Sequence, residues 1–332
     1  MEAYSFRLNF ESSLVVGSPT RSMIPSDVLF GAFCHAFRLL RSERCLKDLL
    51  DEFVDDSSAT PFILSSAYPY WEETLFFPKP ILYQSRDRAL QGESSSRRSN
   101  LGDAKFLDHN LWSKYLEGDW DAIGYMARDA RLSTRGDLLS IQEIPDMLYL
   151  TSERPRVAVD RHNSVSTLHH VKSLEFAEPN AGAHFLAIFR DQDMLNEFYS
   201  ALQLLQHEGI GGERSSGYGR FRCEPPEELY FSDFEEPNWF TSLSLFMPSK
   251  NEAESSAQGY YALSTRGGWV YSSHVKNYRK KTIRMFTEGS AFPNSGQIGS
   301  LVDVTPTILT SHRTFRYGLS FKVPMAVPDH EV

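Results

Sequence analysis

The chain has 332 residues, a formal net charge of −9 and 41% hydrophobic residues, enough for two domains of ordinary size with a core in each. The acidic balance argues against nucleic-acid binding by the whole surface, leaves room for a local basic groove, and offers acidic faces to protein partners. No apolar run is long enough to cross a bilayer, and the first residues do not read as a signal peptide.

In chain order, residues 4–10 alternate strictly and read as a strand with one buried face. Pro25-Ser26-Asp27 opens a helix, with Ser26 or Asp27 as the expected N-cap. That helix should run over about 28–55 with a break near Ser42. Leu29, Phe33, Ala36 and Leu40 form its apolar stripe, widened by Phe30 and Phe37; Gly31, His35, Arg38 and Ser42 fall opposite. Residues 61–68 and 74–77 are strands bounded by prolines. Residues 84–100 turn polar, with Arg86, Arg88, Arg97 and Arg98 and a serine run, and read as a surface loop. Residues 106–126 are moderately helical. Residues 154–171 have an alternating base, a polar middle and an apolar return, the pattern of an extended hairpin-like arm. Residues 183–189 form an internal strand, and Met194, Leu195, Phe198, Leu202 and Leu205 mark a helix ending at His207-Glu208.

A glycine-rich turn follows: Gly-Ile-Gly-Gly-Glu-Arg-Ser-Ser-Gly-Tyr-Gly-Arg-Phe, residues 209–221, leading into a strand over 218–223. Gly209, Gly211, Gly212, Gly217 and Gly219 permit close backbone approach, and amides exposed by such a run can form an anion nest. Arg214 and Arg220 add donors matched to phosphate oxygens. Ser215 and Ser216 add hydroxyls, and Tyr218 a stacking face. A plain helix-to-strand turn is the simpler alternative. No Gly-Lys-Ser/Thr tail follows, which excludes a triphosphate P-loop. The glycines follow a helix rather than a strand, which excludes a dinucleotide fold.

Residues 225–237 are acidic and proline-bearing, a boundary. Beyond it, strands are expected at 239–246, 260–263, 268–271, 298–304 and 314–323, with little clear helix. Five cations, Lys276, Arg279, Lys280, Lys281 and Arg284, stand in one run without a carboxylate. With Tyr278 and His274 nearby, the run suits single-stranded RNA, where stacking and backbone neutralisation act together; a solvated face is the plainer explanation. Cys34, Cys45 and Cys223 give neither a disulfide framework nor a zinc spacing, which points to a reducing, cytoplasmic setting.

The glycine-rich turn, placed after the last helix of a ferredoxin-like unit, resembles the RAMP superfamily of CRISPR proteins. Ser26-Asp27-Val28-Leu29-Phe30-Gly31, Ser65-Ser66-Ala67-Tyr68-Pro69-Tyr70, Phe77-Pro78-Lys79-Pro80 and Phe315-Arg316-Tyr317-Gly318-Leu319 extend the resemblance over nearly the whole chain. It points to the RAMP subunit that caps the guide-RNA end of the type III-A (Csm) effector complex, although that family often has a threonine at the position of Val28. The resemblance implies an α+β fold of two tandem ferredoxin-like (RRM-like, βαββαβ) domains. The first would span 1–225, with an insertion at about 84–145, a thumb-like β-hairpin at about 154–175 and the glycine-rich loop at 209–219. The second would span 236–332. The arm carries the Arg-Val-x-x-Asp-Arg phrase of related thumbs at Arg156 to Arg161.

The resemblance further implies a prokaryotic, cytoplasmic, non-catalytic subunit without cofactor, metal or membrane. It would bind the 5′ handle of the CRISPR RNA (crRNA), contact the large polymerase-like/HD subunit and the adjacent backbone RAMP subunit, and meet target RNA only indirectly. The expected RNA contacts fall in three places. The turn contributes Gly209, Gly211, Gly212, Arg214, Ser215, Ser216, Gly217, Tyr218 and Gly219. The arm contributes Arg161, His162 and Asn163. The basic run contributes Lys276, Arg279, Lys280 and Arg284. Arg156 and Arg161 point to opposite faces of a regular strand, and Arg161, nearer the tip, is the one expected on RNA.

The alternative is a guide-processing endoribonuclease using His35, since some RAMP relatives cleave precursor RNA with a histidine near this helix. A general base needs an orienting partner and a charge stabiliser. Arg38 lies within one turn, but nothing close in sequence orients the ring. His162, His169 and His170 do not suggest a metal, because adjacent histidines on a strand face opposite sides. Asp27, Asp160 and Asp303 are too dispersed for a two-metal nuclease; Asp27 is explained as a cap and Asp160 as an ion partner of Arg156 or Arg161.

Overall fold

The computed structural model describes residues 2–17, 21–55, 60–82, 104–126, 130–159, 166–177, 179–231, 237–272 and 278–327. Alternation at the start produces β1 (Glu2–Phe10), with Phe6 and Leu8 fully buried. The helix breaks where the sequence suggests, giving α1 (Ser26–Leu40) and α2 (Glu43–Asp55). Leu29, Phe30, Phe33, Ala36 and Phe37 are its buried face, whereas Leu40 ends the helix exposed. The strand expected over 61–68 divides into β2 (Phe62–Leu64) and β3 (Tyr68–Trp71). Between them Ser65 Oγ accepts from Leu186 N at 2.8 Å, and Ser66 N donates to Leu243 O at 2.7 Å. Two serines facing partners on opposite sides leave no room for a continuous ladder.

β4 (Thr74–Pro78) follows. The stretch at 106–126 opens as a strand, β5 (Phe106–Asp108), before α3 (His109–Glu117) and α4 (Trp120–Met126). Asp108 caps α3, accepting from Leu111 N at 2.8 Å. Next come β6 (Arg131–Ser133) and β7 (Leu138–Ser140). β8 (Tyr149–Val159) and β9 (Ser166–Phe176) pair antiparallel along their full length. β10 (Ala181–Phe189), α5 (Gln192–Glu208), β11 (Phe221–Cys223) and β12 (Glu227–Tyr230) complete the first half.

One sheet runs β11-β1-β10-β3-β4-β5-β7-β6, with β12 also on β1 and β2 on β10. All its pairings are antiparallel except β5 with β7. Phe33 of α1 stacks on Phe198 of α5 at 4.8 Å, and Phe198 in turn meets Phe6 and Phe185 of the sheet. Such pairs add about 0.5–1.5 kcal/mol each beyond the area they bury.

The second half is built from shorter pieces than the alternation suggested. β13 (Trp239–Ser242) lies between β16 (Ala291–Pro293) and β19 (Lys322–Met325). β14 (Leu263–Arg266) pairs with β15 (Ile283–Phe286), and β17 (Val302–Asp303) with β18 (Phe315–Arg316). Its one helix among the described residues is α6 (Ala253–Ser256).

The halves meet along a buried polar seam. Tyr317 OH accepts from Leu64 N at 2.7 Å, and Tyr68 OH donates to Leu243 O at 2.6 Å. The hydroxyls of Ser22 and Ser66 donate to Glu288 Oε1 at 2.8 and 2.7 Å, and burial pushes the Glu288 carboxyl above its usual range. Asp27 corrects its expected role. The N-cap of α1 is Pro25, and no side chain caps it. Instead the buried Asp27 carboxylate accepts from Arg266 Nη2 at 2.8 Å and Nε at 3.1 Å, and from Arg316 Nη1. A first-turn position aims its side chain into the seam, where both guanidiniums face it. Among the described residues, no helix is long and apolar enough to cross a membrane.

Candidate nucleic-acid interface

The glycine-rich turn leaves α5 with positive φ at Gly209, Gly211, Gly217, Gly219 and also Glu213. A Cβ at Gly211 would run into the Val15 carbonyl, and one at Gly219 into the Ile210 carbonyl. Gly212 N donates to Val15 O at 2.7 Å, Gly219 N to Ser13 O at 2.9 Å, and Ile210 N to Gly219 O at 2.9 Å. Ser216 N and Gly217 N close local turns onto Glu213 O and Arg214 O. These amides are committed to the turn and to its seat on residues 13–15. The side chains carry its outward chemistry: Ser215 and Ser216 are exposed, Arg214 and Tyr218 half-buried.

The β8–β9 hairpin joins the turn through Arg156. Its Nη1 donates to Glu213 Oε2 at 2.8 Å and to Ser216 Oγ at 3.1 Å, and the guanidinium stands 5.2 Å from the Tyr218 ring centre. Arg156 therefore ties the hairpin to the turn. Asp160, Arg161, His162 and Asn163 lie outside the described residues, as does any pairing of Asp160.

A second hairpin extends from β14 and β15. Lys280 N donates to Gly268 O at 2.9 Å and Val270 N to Tyr278 O at 2.7 Å, with Trp269 bridged to Arg279. Val270 is buried, while Trp269 and Tyr271 are 57% and 69% exposed. The Arg279 guanidinium lies 4.7 Å from the Trp269 ring centre, and the Arg214 guanidinium 4.7 Å from that of Tyr271. Arg279, Lys281 and Arg284 are exposed. Lys280 faces inward: burial first, then the Arg316 guanidinium, push its ammonium below the usual range, with Asp27 partly offsetting them. Lys276 and His274 lie outside the described residues. At the root of this arm Arg316 Nη2 donates to Gly267 O at 2.6 Å, beside the Arg266–Asp27 pair.

Turn and arm converge on His35. Its ring stands edge-on to Tyr271 at 5.0 Å, and its Nε2 is 3.9 Å from Glu208 Oε2. Burial, then Arg214 and Arg38, hold its imidazole below the usual value, with Glu208 partly offsetting them, so the ring is neutral at pH 7. The partners that local sequence did not offer come from α5 and the arm. Among the described residues, no group of three or more His, Cys, Asp or Glu side chains is placed to hold a metal ion.

The structure thus joins Arg214 of the turn and the arm bearing Arg279 at one place, and adds Trp269 and Tyr271, which sequence reading took only as strand residues. The signal for them was their two-residue spacing, which sets both rings on one face ahead of the basic run.

The RAMP superfamily profile matches residues 7–222, and that of the CRISPR Csm4 C-terminal domain residues 235–325. The chain is 26% identical over 326 residues to the "CRISPR system Cms protein Csm4" of Thermococcus onnurineus, covering 95% of this chain and 96% of that protein. It is 27% identical over 270 residues to the protein of the same name from Streptococcus thermophilus, covering 77% and 78%. In fold it resembles a chain in a crystal structure of a Csm3–Csm4 subcomplex of the type III-A CRISPR-Cas interference complex, at TM-score 0.67, 16% identity, and 98% and 100% coverage. It also resembles a chain in a crystal structure of a Csm1–Csm4 cassette in complex with cA4, at TM-score 0.63, 20% identity, and 99% and 100% coverage. With its profile spanning the sheet, the β8–β9 hairpin and the glycine-rich turn, well over half of the sequence, the chain belongs to the RAMP superfamily.

Proposed function

We propose that the chain is the non-catalytic RNA-binding subunit of a type III-A (Csm) CRISPR effector complex, holding the 5′ handle of the crRNA. On this reading it contacts the large polymerase-like/HD subunit on one side and the adjacent backbone RAMP subunit on the other. It works in the prokaryotic cytoplasm and meets target RNA only through the assembly. The name shared by the curated relatives supports the assignment, as do the partners in the solved complexes of similar fold. The observation that carries RNA binding is the meeting of Arg214 with the arm of Arg279 beside exposed aromatic rings, on a chain whose net charge is −9.

The strand order β11-β1-β10-β3, with α1 and α5 packed together against it, fits the βαββαβ plan of the first domain, 1–225. The β8–β9 hairpin is its thumb. The second domain, 236–332, is read as a reduced unit of the same plan, with one four-residue helix. His35 needs no catalytic role: Glu208 and Tyr271 hold it as part of the turn–arm junction.

The test is to purify the tagged protein from cells carrying a CRISPR array, sequence the RNA that accompanies it, and incubate it with labelled repeat RNA. A short RNA of uniform 5′ sequence, and retention without cutting, are the expected results. Site-specific cutting abolished by His35→Ala would replace this reading with the endoribonuclease. Affinity no greater than for unrelated RNA would reduce the chain to a protein adaptor.

A further inference from the structure

We propose that Trp269 and Tyr271 form a two-base stacking platform for single-stranded RNA, with Arg279 and Arg214 as its flanking cations. The inference rests on the RNA-binding reading and names the part of the surface that would grip bases rather than phosphates. Trp and Tyr are large rings, and more than half of each is open to water while Val270 between them is buried. On an extended strand, residues two apart share a face and stand about 6.6 Å apart. That spacing suits successive bases splayed from an unpaired strand, and every base has a face to stack.

The surroundings choose nucleic acid over a protein partner. Each ring carries a guanidinium over one face, 4.7 Å from its centre, so a base stacks on the ring surface still open to water and its phosphate has a cation within reach. Lys281 and Arg284 continue the exposed positive charge along the returning strand. No carboxylate stands between Arg279 and Arg284. The platform is also held firmly. Its root at Arg266 and Gly267 is gripped by Asp27 and Arg316, and Tyr271 leans on His35. A preset surface loses less freedom on binding than a loose loop.

Stacking and charge neutralisation separate by salt. The full-length protein is titrated with a labelled single-stranded repeat-derived RNA over a range of salt concentrations. Trp269→Ala and Tyr271→Ala should each weaken binding about 5- to 150-fold, the range for loss of one stacked base, without changing the log–log salt slope. Trp269→Phe should recover most of the loss. Arg279→Ala should lower the slope by about 0.7. Because Trp269 is exposed, thermal unfolding of Trp269→Ala should match the wild type, whereas Tyr271→Ala also loses the His35 contact and is compared at a temperature where it is fully folded. Wild-type affinity in Trp269→Ala and Tyr271→Ala, with a loss in Arg279→Ala, would overturn the platform and leave the RNA reading standing. Wild-type affinity combined with failure to assemble with co-expressed effector subunits would make the rings a protein contact instead. No RNA binding by the wild-type protein would be a failure of the underlying reading, separate from these.

Discussion

The glycine-rich turn and the arm from β14 to β15 are both basic, both glycine-bearing, and meet at Tyr271, yet they present opposite surfaces. In the turn, several backbone amides face inward, and its glycines admit the carbonyls of Val15 and Ile210. In the arm, the β14–β15 ladder gives way to a single bridge at Trp269 and Arg279, shifted by one residue, and two aromatic rings face water. Close approach thus accounts for Gly209, Gly211 and Gly219 and positive φ alone for Gly217, while the turn's arginine and serine side chains remain outward. Composition alone does not separate a loop built to approach its own chain from one built to approach a ligand.

The largest effect should come at the arm's root. Asp27→Asn leaves two buried guanidiniums without their carboxylate and should cost about 3–5 kcal/mol in chemical denaturation. A loss below about 1 kcal/mol would mean that the arm is held by its strand pairing alone. The turn is tested by two glycines with similar positive φ. Gly219→Ala meets the Ile210 carbonyl and should cost about 2–3 kcal/mol, whereas Gly217→Ala points into open space and should cost about 1 kcal/mol. Equal losses would show that backbone conformation, not close approach, governs the turn.

A smaller loss is expected from Arg156→Ala. Its pair with Glu213 is about one-third exposed on each side, so solvent screening limits the cost to about 0.5–1 kcal/mol. Faster hydrogen exchange in β8 with little change in melting temperature would mark it as the tie between hairpin and turn; unchanged exchange would remove that tie. The mildest test is pH. His35 is held below the unfolded value of about 6.5, so below that pH the unfolded chain binds more protons, and stability falls as pH drops toward the lowered folded value. His35→Gln should flatten part of that fall. The rest persists through His109, lowered by burial, and through His184, whose buried imidazole is pushed down to about 4 while Nε2 bonds to the Phe76 carbonyl. A pH profile identical to wild type would remove His35 from the junction's electrostatics.

Local pattern made the first half legible. β1, the break between α1 and α2, and α5 follow from alternation, from Ser42 and from the Met194-to-Leu205 stripe. The second half was less so, because its strands are two to four residues long and their pairing is set by distant segments rather than by period. Asp27 misled for the same reason. In sequence a carboxylate at a helix start is a cap; only the fold brings Arg266 and Arg316 to it. At the interface the turn's cations and serines stand out in one dimension. Trp269 and Tyr271 show there only as a two-residue spacing, since exposed and buried aromatics look alike until the fold assigns a face.

The seam also imposes an order in time. Asp27 and Arg316 are 289 residues apart. At about 5–20 residues per second of synthesis, roughly 15–60 s separate the emergence of the carboxylate from that of its second guanidinium. Within that interval Asp27 waits first for Arg266 and then for Arg316, and Ser66 waits for Leu243 and Glu288. The nascent first half therefore exposes an unfinished polar edge to the cell until Arg316 leaves the ribosome.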